Sequence, residues 1–118
     1  MVLVNERLAE GNTPSEKIPL KLRVGHLLRI DSYLDMAILS MWSVSERAAT
    51  LMGMAEASVK GYGPGGERGP DEDLLDQIRD LIGEAREYYT NGDFAAAMAR
   101  MRVAQDLVGL RIIHLAGE

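Results

Sequence analysis

An all-α fold is predicted by three features of this sequence: a helix-forming composition, one long stretch of heptad spacing, and two polar breaks that divide the chain into helices. Apolar residues make up 47% of the 118 residues and aromatic residues only 5%. Alanine, leucine, methionine, arginine and glutamate, which favour helices, are frequent. A chain of this length is expected to fold as one domain. We therefore predict a single antiparallel bundle over residues 1–118 with three main helices.

The first helix is predicted to be very long, from Leu20 to about Lys60. Over this stretch two rows of residues recur with alternating spacings of four and three; they are Leu20, Leu27, Leu34, Met41, Ala48 and Ala55, and Val24, Asp31, Ile38, Ser45, Met52 and Val59. Such spacing is typical of a helix that packs at a shallow angle against its neighbours. At 1.5 Å per residue the helix would be roughly 60 Å long, more than a compact domain of this size needs.

The excess length of this helix predicts self-association. The apolar stripe is wide enough to contact two neighbours, which are either a third helix of the same chain or a second copy of the protein. Because the later helices are too short to cover it, we expect a homodimer. The candidate self-association face consists of Leu34, Ile38, Met41, Trp42 and Met52.

Two further segments set the boundaries of the bundle. The Gly/Pro-rich linker at residues 61–70 ends the first helix, because glycine loses much conformational entropy in a helix and proline lacks the amide donor. Residues 1–19 are predicted to form a short helix or an arm. The acidic run that starts at Asp71 then places negative charge at the positive end of the next helix, which we predict over Asp71–Thr90.

The break Asn91-Gly92-Asp93 predicts a tight helical hairpin. Gly92 suits a left-handed residue that ends a helix, and the carboxylate of Asp93 suits the N-cap of the next. A third helix is therefore predicted from Phe94 to about Leu115, antiparallel to the second. Its small alanines are expected to allow close packing against the other helices.

The segment "AREYYTNGDFAAAMARMRVAQDLVGLRI", Ala85 to Ile112, resembles the C-terminal hairpin of a family of small archaeal helical proteins, the domain of unknown function 357. The residues that carry the resemblance are Ala85, Tyr88, Tyr89, Gly92, Asp93, Phe94 and Ala97. Upstream, "YLDMAILSM", Tyr33 to Met41, is similar to a segment of that family's first helix. The resemblance implies a helical bundle and an archaeal source, and it brings no catalytic residues.

The residue types do not predict a catalytic, cofactor or metal site. The chain has no cysteine, which excludes disulfides and thiolate ligands. Asp80, Glu84 and Glu87 share one helical face, but arginines alternate with them, so a solvated face is the favoured interpretation; a hydrolase would require these acids to point inward. His114 is expected in the last turn of the third helix, where a partly positive imidazole suits the helix dipole.

A basic cluster near the start of the first helix is the best local candidate for an anionic partner: Lys21, Arg23, His26 and Arg29. Because the net charge is −5 and no aromatic residues are interleaved with the cluster, a general nucleic-acid surface is disfavoured. The alternative function is nevertheless a small RNA-associated protein or an accessory subunit of a nucleic-acid enzyme, with Arg100 and Arg102 as further contacts.

Asp31 and Ser45 interrupt the heptad rows, and two explanations of Asp31 remain open. The carboxylate pairs with Arg100 or Arg111 of the third helix, or the first helix rotates slightly so that Ile30 takes the inward place. Together these observations favour a non-enzymatic interaction or scaffold protein that self-associates through the first helix. No leader or membrane span is predicted, so a cytoplasmic location is expected.

Overall fold

The computed structural model describes residues 18–43, 45–59 and 69–117, and these residues form four α-helices. They are α1 (Leu20–Trp42), α2 (Ala48–Ser58), α3 (Glu72–Thr90) and α4 (Phe94–Ala116), and a 3-10 turn at Gly69–Asp71 precedes α3. These residues contain no strand, so the predicted all-α bundle is confirmed. Most of the predicted N-terminal arm (1–19) and of the linker (61–70) lies outside the described residues.

The prediction of one very long first helix is wrong, because the helix ends at Trp42 and a second helix begins at Ala48. No proline or glycine lies between Ser43 and Arg47; serine hydrogen bonds form the turn instead. The hydroxyl of Ser43 donates to the carbonyl oxygens of Leu39 and Ser40 at 3.2 Å, and the Ser45 hydroxyl accepts from the Arg47 amide at 3.1 Å. Serine side chains compete in this way with helical backbone hydrogen bonds, so the predicted helix becomes α1 and α2.

The chain folds back on itself after α1, because this buries the apolar side chains of α2 against other parts of the same chain. α2 runs antiparallel to α1, as the 2.7 Å hydrogen bond from His26 of α1 to the carbonyl of Ser58 at the end of α2 shows. Met52 and Val59 become buried. Each such side chain contributes about 1.5–3 kcal/mol, whereas each backbone hydrogen bond lost at the break costs about 0.5–1.5 kcal/mol. Burial therefore outweighs helical continuity.

The hairpin between α3 and α4 forms as predicted. Gly92 has a φ of 84°, a left-handed conformation that glycine adopts without steric cost. The side chain of Asp93 accepts a hydrogen bond from the Ala96 amide at 3.1 Å and so caps α4. Phe94 is about half exposed and packs on Tyr89 with ring centroids 5.2 Å apart.

The four helices are arranged in a ring around one apolar core. α1 packs against α2 and α4, and α3 packs against α4 and, over a smaller contact, against α2. The largest fully buried apolar side chains come from all four helices; they are Leu27, Ile30, Leu34, Met52, Val59, Leu75, Ile78, Ile82, Met101, Val108 and Leu115. Met36 and Met54 are exposed, whereas Met41, Met52 and Met101 are buried.

Asp31 does not pair with an arginine of the last helix. Ile30 is fully buried while Asp31 is partly buried, so the slight rotation of α1 is the correct explanation. Arg100 pairs with Glu84, and Arg111 pairs with Asp71. The pKa of Asp31 is raised above its ordinary value of 3.8, chiefly because burial disfavours the charged form and also because Asp35 is near; a hydrogen bond with Gln105 opposes this rise.

Replacing Asp31 with asparagine (Asp31→Asn) is expected to stabilise the protein near neutral pH. Because the raised pKa makes the folded state bind a proton more readily than the unfolded chain does, ionised Asp31 costs stability above its folded pKa, and that cost vanishes as the pH falls below the unfolded value. Urea unfolding should show a higher midpoint for the variant at about pH 7 and no gain at about pH 3. The exposed Asp80→Asn is the matched control, and a lower midpoint for Asp31→Asn near pH 7 would contradict the expectation.

Candidate functional site

The candidate self-association face lies mostly inside the bundle. Leu34, Ile38, Met41 and Met52 are buried, so they are not available to a second copy of the folded chain. The physical reason is the break after Trp42, which lets α2 fold back and cover the face intramolecularly. Trp42 is the member that remains exposed, with 64% of its surface accessible.

The candidate basic patch is divided between the surface and the interior. Lys21 and Arg29 are exposed, but His26 is buried and donates its ring N–H to the carbonyl of Ser58. Arg23 points toward the start of α3, where it binds a carboxylate. The patch therefore does not form one continuous cationic surface. Arg100 is also engaged, since it pairs with Glu84 and lies over the ring of Tyr88 at 5.2 Å.

A buried ion cluster centred on Asp71 is the most constrained polar arrangement that the structure describes. Arg23 of α1 donates from Nε to Asp71 Oδ2 at 3.0 Å and from Nη2 to Oδ1 at 2.9 Å. Arg111 of α4 donates from Nη1 to Oδ1 at 2.8 Å. The side chain of Asp71 is fully buried, whereas the arginines keep 17% and 32% of their side-chain surface exposed. One carboxylate thus joins α1, α4 and the beginning of α3.

Charge and geometry explain why this arrangement is stable. The two-point contact of Arg23 matches the fork of the guanidinium to the carboxylate, and Asp71 also stands at the N-terminal end of α3, where the helix dipole favours negative charge. Both arginines retain partial contact with water, which reduces the cost of burying their charge. We infer that the cluster positions the helix ends and is not an exposed reactive group.

Grooves on the surface of the described residues lie on either side of α3. A groove of about 290 Å³ lies between α3 and α4 and includes Asp73, Gln77, Arg111 and His114 in its lining. His114 is in the last turn of α4, as predicted. An open groove of about 700 Å³ lies between α2 and α3, where Arg86 is ion-paired with Glu56. Both grooves mix charges of opposite sign, so neither selects a strongly anionic or cationic ligand.

The acidic row of α3 faces solvent. Asp80, Glu84 and Glu87 are all exposed, and Glu84 binds Arg100 at 2.9 Å, so the prediction of a solvated face is confirmed. The inward orientation that a hydrolase would require is not observed. Among residues 18–43, 45–59 and 69–117, no group of three or more histidine or acidic side chains is placed to hold a metal ion.

Helix α4 carries two heptad rows, one buried and one exposed. The inner seam is buried in the bundle and consists of Ala97, Met101, Ala104, Val108 and Leu115. The outer seam, on the opposite side of the helix, is exposed and consists of Ala99, Val103, Asp106, Leu110 and Ile113. Its spacings of four, three, four and three match those of helix-pairing surfaces. Leu110 and Ile113 expose 63% and 69% of their surface.

The neighbouring helix α1 also carries exposed apolar side chains. Leu28, Leu39 and Trp42 fall on one side of α1 and are between 49% and 64% exposed. α1 and α4 are in direct contact and are linked by a hydrogen bond from Gln105 to Asp35 at 3.3 Å. Isolated exposed apolar residues are common in soluble proteins, whereas larger exposed apolar patches are typical of sites that bind a partner.

Two further findings concern membrane-spanning helices and similarity to known proteins. In the part of the chain that the structure describes, every helix is too short or too polar to cross a bilayer. The similarity of residues 85–112 to the archaeal helical family stays a prediction. Comparisons of the chain with protein-family models, with curated proteins and with solved structures gave no match.

Proposed function

We propose that this protein is a non-enzymatic helical interaction protein that self-associates through the outer seam of α4. The observation that carries the proposal is the second heptad row on α4, which the bundle itself does not use. Large side chains such as Leu110 and Ile113 each gain about 1.5–3 kcal/mol when they are removed from water. A second copy of the same chain offers a matching surface and closes the assembly as a dimer.

The proposed interface between copies lies on the last helix, whereas the sequence predicts one on the first helix. The face at Leu34, Ile38, Met41 and Met52 is covered by the chain's own helices, so it gives no further support to association of the folded protein. Trp42, the one exposed member of that face, lies on α1, which packs against α4. The nucleic-acid alternative has weaker support, because Arg23 and His26 of its patch point inward.

Sedimentation velocity over a range of protein concentrations tests this function. We expect reversible association from the 13.0 kDa chain to twice that mass. Ile113→Glu should weaken association at least about tenfold, because it places a charge in the apolar part of the outer seam. Ile113 is mostly exposed, so the folded monomer should keep its helical circular dichroism.

The matched control is Met54→Glu. Met54 is also an exposed apolar residue, and it lies on α2, which is diagonally opposite α4 in the helix ring. This variant should associate as the unsubstituted protein does. A chain that stays monomeric at all concentrations up to a few hundred micromolar would contradict the proposed function, and equal weakening by both variants would contradict its location.

A further inference from the structure

We propose that two copies of the protein pair through their outer seams in an antiparallel orientation, with Arg102 of each copy beside Asp106 of the other. The inference rests on the proposed self-association and specifies its geometry. Arg102 and Asp106 are exposed and lie one turn apart, with Asp106 inside the outer seam and Arg102 at its edge. Within the described residues neither of them makes an ion pair.

Charge decides between the two possible orientations. In a parallel pair, equivalent residues face each other, so the two Asp106 carboxylates would meet in the middle of an apolar interface and repel. In an antiparallel pair centred between residues 104 and 105, each Asp106 lies opposite Val103 of the other copy and next to its Arg102. The same arrangement occurs twice because the two-fold axis relates the copies. The seam is therefore self-complementary only when antiparallel.

Side-chain size favours the same orientation. In this register Leu110 lies opposite Ala99, and Ile113 lies opposite Ala96, so that a large residue meets a small one in the layers outside the central Asp106–Val103 pairs. In a parallel pair, large residues would face large residues and alanines would face alanines. The distance between the two helix axes would then have to vary from layer to layer. Alternation of large and small side chains is what allows two helical surfaces to interdigitate.

A charge exchange tests the pairing of Arg102 with Asp106. Arg102→Glu alone and Asp106→Arg alone should each weaken self-association at least about tenfold, because each variant brings like charges together twice. The double variant restores opposite charges and should associate within about threefold of the original strength. A mixture of the two single variants should form a heterodimer, since each supplies the charge that the other requires.

Cysteine cross-linking measures the orientation separately. The chain has no native cysteine, so Ala99→Cys and Leu110→Cys each introduce a unique thiol. Under mild oxidation an antiparallel pair should cross-link Ala99→Cys to Leu110→Cys in a mixture. Two Ala99→Cys chains should not cross-link, because in this register the two positions are roughly 16 Å apart along the axis, beyond disulfide reach.

The possible outcomes separate this inference from the function on which it rests. Cross-linking between two Ala99→Cys chains would overturn the antiparallel pairing, and so would a dimer that none of these substitutions weakens. Either result would leave the proposed self-association in place. A protein that remains monomeric would overturn both. Cross-linking only in the mixture, with rescue by the double charge exchange, supports the pairing.

Discussion

Substituting asparagine for the buried aspartate, Asp71→Asn, is expected to lower the free energy of unfolding by about 3–5 kcal/mol. The carboxylate is fully buried and binds the guanidinium groups of Arg23 and Arg111, so its neutral replacement removes a negative charge that offsets the repulsion between them. Since small domains are stable by only about 5–15 kcal/mol, this loss should lower the melting temperature by roughly 10–20 °C.

The matched control is Asp76→Asn, which makes the same chemical change in an exposed pair. Asp76 binds Arg79 at 3.1 Å, and both side chains are at least two-fifths exposed. Such pairs contribute about 0–1 kcal/mol, so the control should change stability little. Urea unfolding of both variants at one pH measures the difference. Equal effects would contradict the structural role of the cluster.

A second substitution separates the two contributions to this loss. The double variant Asp71→Asn with Arg111→Gln also removes one of the two arginine charges that face residue 71. Part of the lost stability should then return, and the coupling between the two sites should be measurable because they are in direct contact at 2.8 Å. Strict additivity of the two single effects would indicate that Arg111 contributes nothing through Asp71.

Local signals were sufficient to predict some of this fold. The hairpin between α3 and α4 follows from three consecutive residues, since Gly92 supplies the left-handed conformation and Asp93 the cap within the same turn. The break after Trp42 could not be predicted in the same way, because its residues include no strong helix breaker. That break depends on the gain from burying α2 against α1, which is a tertiary effect.

The buried ion cluster was missed because its signal is not local. Asp71 was interpreted as one of three acids at a helix start, and Glu72 and Asp73 beside it are indeed exposed. Its partners are 48 and 40 residues away in the sequence. The outer seam of α4 was missed for a different reason. Its spacing is present in the sequence, but the helix carries two heptad rows, and only the packing of the bundle distinguishes the exposed row from the buried one.

The position of Met52 distinguishes the observed fold from the long helix that the heptad pattern predicts. In the structure Met52 is fully buried among the chain's own helices. Met52→Ala should therefore lower the free energy of unfolding by about 2–5 kcal/mol, through lost burial and the cavity that remains. Met54→Ala is the control, because it makes the same change two residues further along α2 at an exposed position, and it should cost less than about 0.5 kcal/mol.

Protein concentration supplies the decisive measurement. A residue in the core of one chain destabilises by the same amount at every concentration, whereas a residue in a dimer interface loses more stability as the concentration rises and the dimer forms. We expect the difference between the original protein and Met52→Ala to stay constant from a few to a few hundred micromolar, and the association constant to stay unchanged. If this difference in the free energy of unfolding grew with concentration, Met52 would lie in an interface between copies, as the model of one long first helix requires.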